Sequence, residues 1–264
     1  MIHPSAIVEQ GANVALDTMI GPFAVIESGA TVASGCEIGA HAIIRACATL
    51  EEGVKVDSFS VIGGVPQDLH FDPATRTGVL VGKNTILREY VTIHRATVPG
   101  TQTKVGADCL IMANAHVAHD CVLDESVIMA NNVMLAGHVT IGKGAFISGG
   151  SGIHQHVRIG ERAIIGILSR ISRDVPPFCM MVERDHLVGL NMVGLRRANF
   201  SREEISEIKR HFHTIYDGGG SPHDKAAAIP DAEIVCASAS RFVNFFKTGT
   251  RGFAQRTGKP ETED

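Results

Sequence analysis

The sequence contains no tryptophan, and aromatic residues make up only 5% of its 264 positions. Hydrophobic residues as a group still reach 44%, so aliphatic side chains must supply most of the buried surface. This composition suits a thin core of valine, isoleucine and alanine better than one built around large rings. The length allows one large domain and one small domain.

Several other features are missing, and each absence excludes a class of protein. Basic residues do not exceed acidic ones, and the formal net charge of −4 gives no case for nucleic-acid binding. The six cysteines include no Cys-x-x-Cys pair, so neither a zinc ribbon nor a redox motif is indicated. The beginning of the chain lacks the regions of a signal peptide, and no run approaches about 18 apolar residues. We expect a cytoplasmic protein with no integral membrane segment.

An aliphatic residue recurs at every sixth position over most of the first 175 residues, and the residue four places further on is usually small. Neither an α-helix nor an alternating strand has this period, whereas the hexapeptide repeats of a β-helix do. Three hexads make one coil of a triangular prism, so residues eighteen apart stack at a strand spacing of about 4.8 Å. The aliphatic positions form two runs: Ile2, Val8, Val14, Ile20, Ile26, Val32, Ile38, Ile44, Leu50, Val56 and Ile62, then Val81, Leu87, Ile93, Val105, Ile111, Val117, Leu123, Met129, Leu135, Ile141, Ile147, Ile153, Ile159, Ile165 and Ile171.

Interruptions of the repeat predict the domain organisation. We expect a β-helix domain over residues 1–176, with loops near 64–80 and 99–104, and a helical domain over residues 177–264. Long loops that leave a regular solenoid are usually functional or disordered, and the two prolines that follow Val175 stop the strands.

The helical domain is predicted from capping and apolar patterns. Ser201 and Glu204 form a capping box for a helix that ends near Gly218. Two further helices are predicted over residues 224–228 and about 231–247. Their expected role is to cover the open end of the β-helix.

Polar residues between the aliphatic positions form vertical columns in residues 114–156. None of the histidines there falls in a position that fills the prism, so the phase of the repeat excludes a core role for them. Their clustering beside stacked asparagines and glycines indicates a functional site. Two columns carry most of the cluster: His119, Gly137 and Gln155 in one, and Asp120, His138 and His156 in the other.

Short motifs accompany the columns: His116–Cys121, Ala130–Asn132, Leu135–Val139, Pro66–Leu69, Val91–Arg95, Ile153–Gln155, Asp174–Pro177, Asn191 with Gly194–Arg197, and Phe200–Glu203. In this combination they resemble, almost from end to end, the UDP-N-acetylglucosamine 3-O-acyltransferases that begin lipid A synthesis. The resemblance implies a left-handed all-β parallel β-helix with a small α-helical domain, and a homotrimer with active sites between subunits. It also implies transfer of an acyl group, often 3-hydroxylated, from acyl carrier protein to UDP-N-acetylglucosamine. No cofactor is implied beyond the phosphopantetheine of the carrier.

The resemblance further implies roles for individual residues. His119 would be the general base, Asp120 its support, and the Gly137 N–H a donor to the thioester oxygen. The residues implied to bind the sugar nucleotide or phosphopantetheine are Gln67, Asp68, His94, His116, His138, His154, Gln155, Asn191 and Arg197.

The chemistry of acyl transfer asks for the same groups. A sugar hydroxyl is a poor nucleophile, so a neutral imidazole must take its proton during attack. The developing oxyanion needs a donor, and glycine allows close approach of a backbone N–H. Arg197 suits a diphosphate, and Ile167 and Leu168 offer outward apolar surface for an acyl groove.

The chain departs from the family pattern at three positions. His70 and Val193 stand where relatives often carry lysine and glutamate, which could alter nucleotide contacts. The position of Ile167 is glycine in some relatives and bulky in others. We hypothesise that Ile167 shortens the accepted acyl chain.

Other functions compete with this interpretation. An N-acylating sister enzyme shares the fold but usually carries an extra N-terminal domain, and a coenzyme A-dependent acetyltransferase shares only the repeat. The acceptor could also carry a 3-amino group. A zinc carbonic anhydrase-like trimer would use three histidines across an interface, but the spacing His116-x-x-His119 fits it poorly, and we expect no metal site.

Overall fold

Each hexad folds into a short strand whose partner lies one coil away. On one face of the prism Val117 pairs with Leu135, and Leu135 pairs with Ile153, each step spanning eighteen residues. The structure is a computed structural model and describes residues 1–256. It confirms the predicted fold class, a left-handed parallel β-helix with three hexads per coil and a small helical part.

The three faces of the prism are three sheets. The first face contains Ile7–Val8, Val25–Ile26, Ile43–Ile44, Val61–Gly64, Thr92–His94, His116–Val117, Met134–Leu135, Gly152–Ile153 and Arg170–Ile171. The second face contains Asn13–Val14, Thr31–Val32, Ala48–Leu50, Gly78–Val81, Gln102–Val105, Val122–Leu123, Thr140–Ile141 and Arg158–Ile159. The third face contains Met19–Ile20, Glu37–Ile38, Lys55–Val56, Ile86–Leu87, Leu110–Ile111, Ile128–Met129, Phe146–Ile147, Ile164–Ile165, Cys179–Val182 and His186–Leu190.

The corners between faces set the direction of the polar columns. From Ile20 onwards the aliphatic positions of the repeat are buried inside the prism. Where the first face turns into the second, Asp120, His138 and His156 adopt φ of 58°, 61° and 64°. Asp, Asn and His enter this left-handed region more readily than other non-glycine residues. Their side chains therefore form one column along that corner.

The first loop leaves the prism after Gly64 and returns at Gly78. Arg95 anchors it: its guanidinium donates to the carbonyl oxygens of Pro73 at 2.7 Å and Thr75 at 3.0 Å. The same guanidinium lies 5.0 Å from the centre of the Phe71 ring. At the second predicted loop, residues 102–105 form a strand, so the excursion there is short.

Strands continue past residue 176, within the range predicted for the helical domain. Cys179–Val182 pairs with Ile164–Ile165, and His186–Leu190 runs antiparallel beside it. The helices are α1 (Met192–Arg197), α2 (Arg202–Tyr216), α3 (Pro222–Ala227) and α4 (Ala237–Phe245), with a 3₁₀ turn at Asp231–Glu233. No helix within residues 1–256 is long and apolar enough to cross a membrane.

The helical domain partly differs from the prediction. The capping box of α2 is present, with Glu204 N–H donating to the Ser201 hydroxyl at 3.1 Å and the reverse bond at 3.0 Å. The predicted helix over about 231–247 is wrong as a continuous element. The backbone N–H groups of Val235 and Cys236 donate to the Glu207 carboxylate at 2.6 Å and 3.0 Å, which interrupts the helical ladder. Helix α1 was not predicted.

Candidate active site

A cavity of about 510 Å³ opens on the outer surface of the first face, under the first loop. Its walls are outward side chains from neighbouring coils, which the strand pairing holds one above another. The sequence-predicted residues that line it are Gln67, His94, His116, His119, Gly137, His154 and Gln155. The fold therefore brings half of the fourteen predicted site residues into one space.

His119 is oriented by the carboxylate beside it. Its Nδ1 lies 2.8 Å from Oδ2 of Asp120, and since an ionised carboxylate only accepts, Nδ1 carries the hydrogen. In the neutral ring Nε2 is then an unprotonated acceptor, which is what a general base requires. Thr97 donates to the same carboxylate from its N–H at 3.0 Å and its hydroxyl at 2.6 Å. Partial burial acts to raise the pKa of Asp120, but the hydrogen bonds from Thr97 and His119 outweigh it and lower the pKa.

Gly137 lies directly against the imidazole of His119, one coil away. A Cβ at this position would come within 2.5 Å of Cε1 and 2.7 Å of Nε2 of His119. No side chain other than hydrogen leaves the ring in place. Within residues 1–256 the Gly137 N–H has no protein acceptor, so it can donate to a ligand next to His119.

His94 and His116 form an edge-to-face pair with ring centres 4.7 Å apart. The hydroxyl of Thr92 bonds Nδ1 of His116 at 2.7 Å. His94 is only 9% exposed, and its Nδ1 is buried with no hydrogen-bond partner. Burial, and then the neighbouring His116 and His119, lower the pKa of His94 to about 4. The pKa of His116 is also lowered, mainly by burial, so both rings are neutral in the folded protein at neutral pH.

The depressed pKa of His94 predicts a pH-dependent stability. The unfolded chain takes up a proton here near pH 6.5, whereas the folded chain takes it up only near pH 4. Between these values the unfolded state binds more protons, so the free energy of unfolding falls as pH falls. We expect the loss of melting temperature between pH 7 and pH 5, measured by thermal denaturation, to be smaller in His94→Gln than in the native protein. Equal losses of melting temperature in both proteins would contradict a lowered pKa of His94 in the folded state.

His138 and His156 continue the column that begins at Asp120. Nε2 of His138 lies 3.7 Å from Oδ2 of Asp120, and its ring centre lies 5.1 Å from that of His119. The His156 ring stacks on His138 at 4.6 Å. Burial is the main reason that the pKa of His138 is lowered, and Asp120 opposes it. His138 therefore borders His119 without lining the cavity.

The structure adds cavity residues that were not predicted. Met134, Gly152 and Arg170 line the same wall as His116, each eighteen residues after the last. Their shared column could have revealed them, because outward positions of successive coils stack as regularly as the core positions do. Gly152 leaves open space where a side chain would stand, between the thioether of Met134 and the guanidinium of Arg170.

Besides Asp120 and His138, five further predicted residues lie outside the cavity of this chain. Asp68 is beside Gln67 but accepts from the N–H of His70 at 2.9 Å, the main cause of its lowered pKa. The Asn191 side chain caps α1: it accepts from the Gly194 N–H at 2.9 Å and donates to the Arg162 carbonyl at 3.0 Å. The others are solvent-exposed: Arg197 on α1, and Ile167 and Leu168 at a corner with exposures of 72% and 75%.

The cluster around His119 could, by composition, hold a metal ion. Ligand atoms of His119, Asp120 and His138 lie within 4.8 Å of one another. Two ligands on a tetrahedral zinc, each about 2.0–2.1 Å from the metal, are separated by about 3.3 Å. The 2.8 Å between His119 Nδ1 and Asp120 Oδ2 is a hydrogen-bond distance. These residues fit a base with its supporting carboxylate better than a zinc site.

Comparisons with known proteins agree with this geometry. Profiles described as bacterial transferase hexapeptide (six repeats) match residues 17–52 and 102–137. The profile described as UDP N-acetylglucosamine O-acyltransferase, domain 2, matches residues 174–254. An acyl-(acyl-carrier-protein)–UDP-N-acetylglucosamine O-acyltransferase of Sinorhizobium fredii is 40% identical over 92% of this chain and 91% of its own. The protein of that name from Campylobacter concisus is 33% identical over 98% of each chain. The chain belongs to the acyl-(acyl-carrier-protein)–UDP-N-acetylglucosamine O-acyltransferase family.

Solved structures of the O-acyltransferase family share the whole fold. The UDP-N-acetylglucosamine acyltransferase from Campylobacter jejuni has a TM-score of 0.91 and 32% identity, covering 97% of this chain and all of its own. A Francisella novicida UDP-N-acetylglucosamine acyltransferase gives a TM-score of 0.91 at 31% identity, covering 97% of this chain and 94% of its own. The resemblance stated from the sequence is confirmed, and the protein is an acyltransferase.

Proposed function

We propose that this O-acyltransferase moves a 3-hydroxylated fatty acyl group from acyl carrier protein to the 3-hydroxyl of UDP-N-acetylglucosamine, the first step of lipid A biosynthesis. The observation that carries the proposal is the Asp120–His119 pair held against Gly137 in the cavity of the first face. This packing supports the proposal, because in the neutral ring Nε2 of His119 is an acceptor and the Gly137 N–H has no protein acceptor within residues 1–256. Acyl transfer to an alcohol needs one group of each kind.

The reaction follows from these two groups. As the sugar oxygen attacks the thioester carbonyl, its proton passes to Nε2 of His119. The new imidazolium is stabilised by the Asp120 carboxylate, and the Gly137 N–H donates to the oxyanion. Collapse of the tetrahedral intermediate breaks the carbon–sulfur bond, and the leaving thiolate takes the proton back from His119. An ester and the free thiol of phosphopantetheine are formed, and the base returns to its starting state.

The substrate contacts are proposed for cavity residues and for residues beyond them. Gln67, His94, His116, His154 and Gln155 line the cavity and would bind the sugar nucleotide or phosphopantetheine. The further proposed contacts are Asp68, His138, Asn191 and Arg197. Asn191 and Arg197 lie away from the cavity of their own chain, which is consistent with a homotrimer whose sites form between subunits.

We also propose that acyl carrier protein is the partner and that the protein works in the cytoplasm. Acyl carrier protein supplies the donor, and no cofactor is needed because the thioester already activates the acyl group. All six cysteines are free, as is usual for a protein of the reducing cytoplasm.

The proposal is tested by acyl transfer with a panel of carrier-protein thioesters and UDP-N-acetylglucosamine, with products identified by mass spectrometry. We expect an ester of the nucleotide sugar and free carrier thiol. A parallel reaction with the 3-amino nucleotide sugar distinguishes ester from amide formation. Transfer to the amine alone, or no transfer from any carrier-protein donor, would contradict the proposed acceptor or donor.

Ile167 gives a separate prediction about acyl length. Its side chain is 72% exposed at the corner between the third and first faces, where we propose that it and Leu168 border the acyl groove. A branched side chain there should stop a long chain. We expect the native enzyme to prefer 3-hydroxydecanoyl over 3-hydroxytetradecanoyl carrier protein, and Ile167→Gly to shift the preference toward the longer donor by about tenfold, the worth of roughly two buried methylenes. A native preference for the longer donor would contradict this role.

A further inference from the structure

The last described residues return to the β-helix beside the cavity. Asp174 and Phe253 form a parallel bridge, with Asp174 N–H donating to Gly252 O at 2.9 Å and Ala254 N–H to Asp174 O at 3.0 Å. Arg158 strengthens this attachment through Thr248, whose hydroxyl it reaches at 2.7 Å. The segment 248–255 is therefore fixed by contacts that do not involve Arg251.

This attachment places Arg251 against a cavity residue nearly a hundred positions earlier in the chain. Nη2 of Arg251 lies 3.0 Å from Nδ1 of His154, and its Nε donates to the Ser172 carbonyl at 3.4 Å. A guanidinium has donors only. Nδ1 of His154 must therefore accept, and in the neutral ring the hydrogen lies on Nε2.

A second contact favours the opposite arrangement. Nδ1 of His154 is also 3.3 Å from the carbonyl oxygen of Gln155, which can only accept and would hold a hydrogen on Nδ1. The contact with Arg251 is shorter and charge-assisted, and such bonds are the stronger ones. Arg251 thus decides between two tautomers that differ in what His154 presents at Nε2: a donor with Arg251 in place, an acceptor without it.

We propose that Arg251 is a positioning residue that fixes His154 as an Nε2–H donor toward an acceptor oxygen of the bound substrate. The oxygen can belong to a phosphate, a carbonyl or a hydroxyl, since all accept from a neutral imidazole N–H. This role rests on the proposed function only in that the ligand is a substrate of acyl transfer. It gives the C-terminal segment a part in the site that no hexapeptide motif encodes.

The test compares the native protein with Arg251→Ala and Arg251→Lys. Histidine side chains are labelled with nitrogen-15, and the His154 signals are assigned by their loss in His154→Gln. We expect an unprotonated Nδ1 in the native protein, a protonated Nδ1 in Arg251→Ala, and recovery of the native pattern in Arg251→Lys, which still donates. A protonated Nδ1 in the native protein, or the same tautomer in native and Arg251→Ala, overturns the proposal.

Kinetics supply the second measurement. In Arg251→Ala we expect KM for one substrate to rise about tenfold, the worth of one lost hydrogen bond, while kcat stays within about twofold. Arg251→Lys should recover most of the affinity. The matched control is Arg256→Ala, which removes the cation just after this segment, one that pairs instead with Asp217 at 2.7 Å. This variant should change neither KM nor the His154 signals. A changed tautomer with unchanged KM for both substrates would overturn the donor role. The tautomer of His154 is measured without turnover. The effect of Arg251 on it is therefore tested independently of the proposed reaction.

Discussion

Replacing His119 with alanine should lower kcat for acyl transfer about a hundredfold or more, the usual contribution of a general base. The acceptor hydroxyl cannot lose its proton before attack at neutral pH, and in the neutral His119 ring Nε2 is the acceptor nitrogen, packed against Gly137. Asp120 holds the ring in that tautomer, so no other orientation of the ring would present an acceptor nitrogen to the hydroxyl. The measurement is steady-state transfer from acyl carrier protein to UDP-N-acetylglucosamine.

The matched control is His41→Ala. His41 stacks between Phe23 and Phe59 on another corner of the β-helix, with ring centres 5.0 Å and 4.9 Å away, and it has no part in the cavity. Its removal should leave kcat unchanged. A His119→Ala protein as active as the native enzyme would exclude His119 as the base even though the family assignment stands.

Replacing Gly137 with alanine should lower kcat about as much as His119→Ala does, although it removes no functional group. The new methyl would stand 2.5 Å from Cε1 of His119. Because this atom is at the far end of a side chain, the imidazole swings away more readily than the coil shifts. Either movement separates the base from the oxyanion donor, whose loss alone is worth about a hundredfold to a thousandfold in kcat.

The prediction is specific to activity because Gly137 is not in a left-handed conformation that alanine would strain. We expect the melting temperature of Gly137→Ala to stay close to the native value while kcat falls. A folded Gly137→Ala protein with native kcat would show that the ring tolerates displacement, and that close packing against His119 is not needed for transfer.

Period six was sufficient to predict the prism and the stacking of several residues that line the cavity of the first face. A strict repeat determines both which residues point inward and which outward residues stack, so the sequence alone places His119, Gly137 and Gln155 in one column. The same rule would also have placed Arg170 above Gly152. It was missed because a repeat shows where a side chain points and not which outward columns share a cavity.

Contacts that depend on non-repeating parts of the chain could not be predicted. The phase correctly kept His94 out of the prism, but its burial depends on an irregular strand register that places Gly64 opposite it, where a Cβ on Gly64 would lie 2.8 Å from the His94 ring. The break before α4 depends on Glu207, a residue of another helix. The pairing of Arg251 with His154 depends on how the end of the chain returns to the β-helix. In each case a distant partner decides the local outcome.

The most direct test of the account is chemical rescue of His119→Ala by imidazole. The vacated space adjoins a cavity of about 510 Å³, which admits a free imidazole between Asp120 and the acceptor hydroxyl. We predict that the rate of acyl transfer to UDP-N-acetylglucosamine rises with imidazole concentration and, across pH, follows the neutral form of imidazole. A rate that needs no added base, or one that follows the imidazolium form, would contradict the central claim that a neutral histidine takes the proton of the sugar hydroxyl.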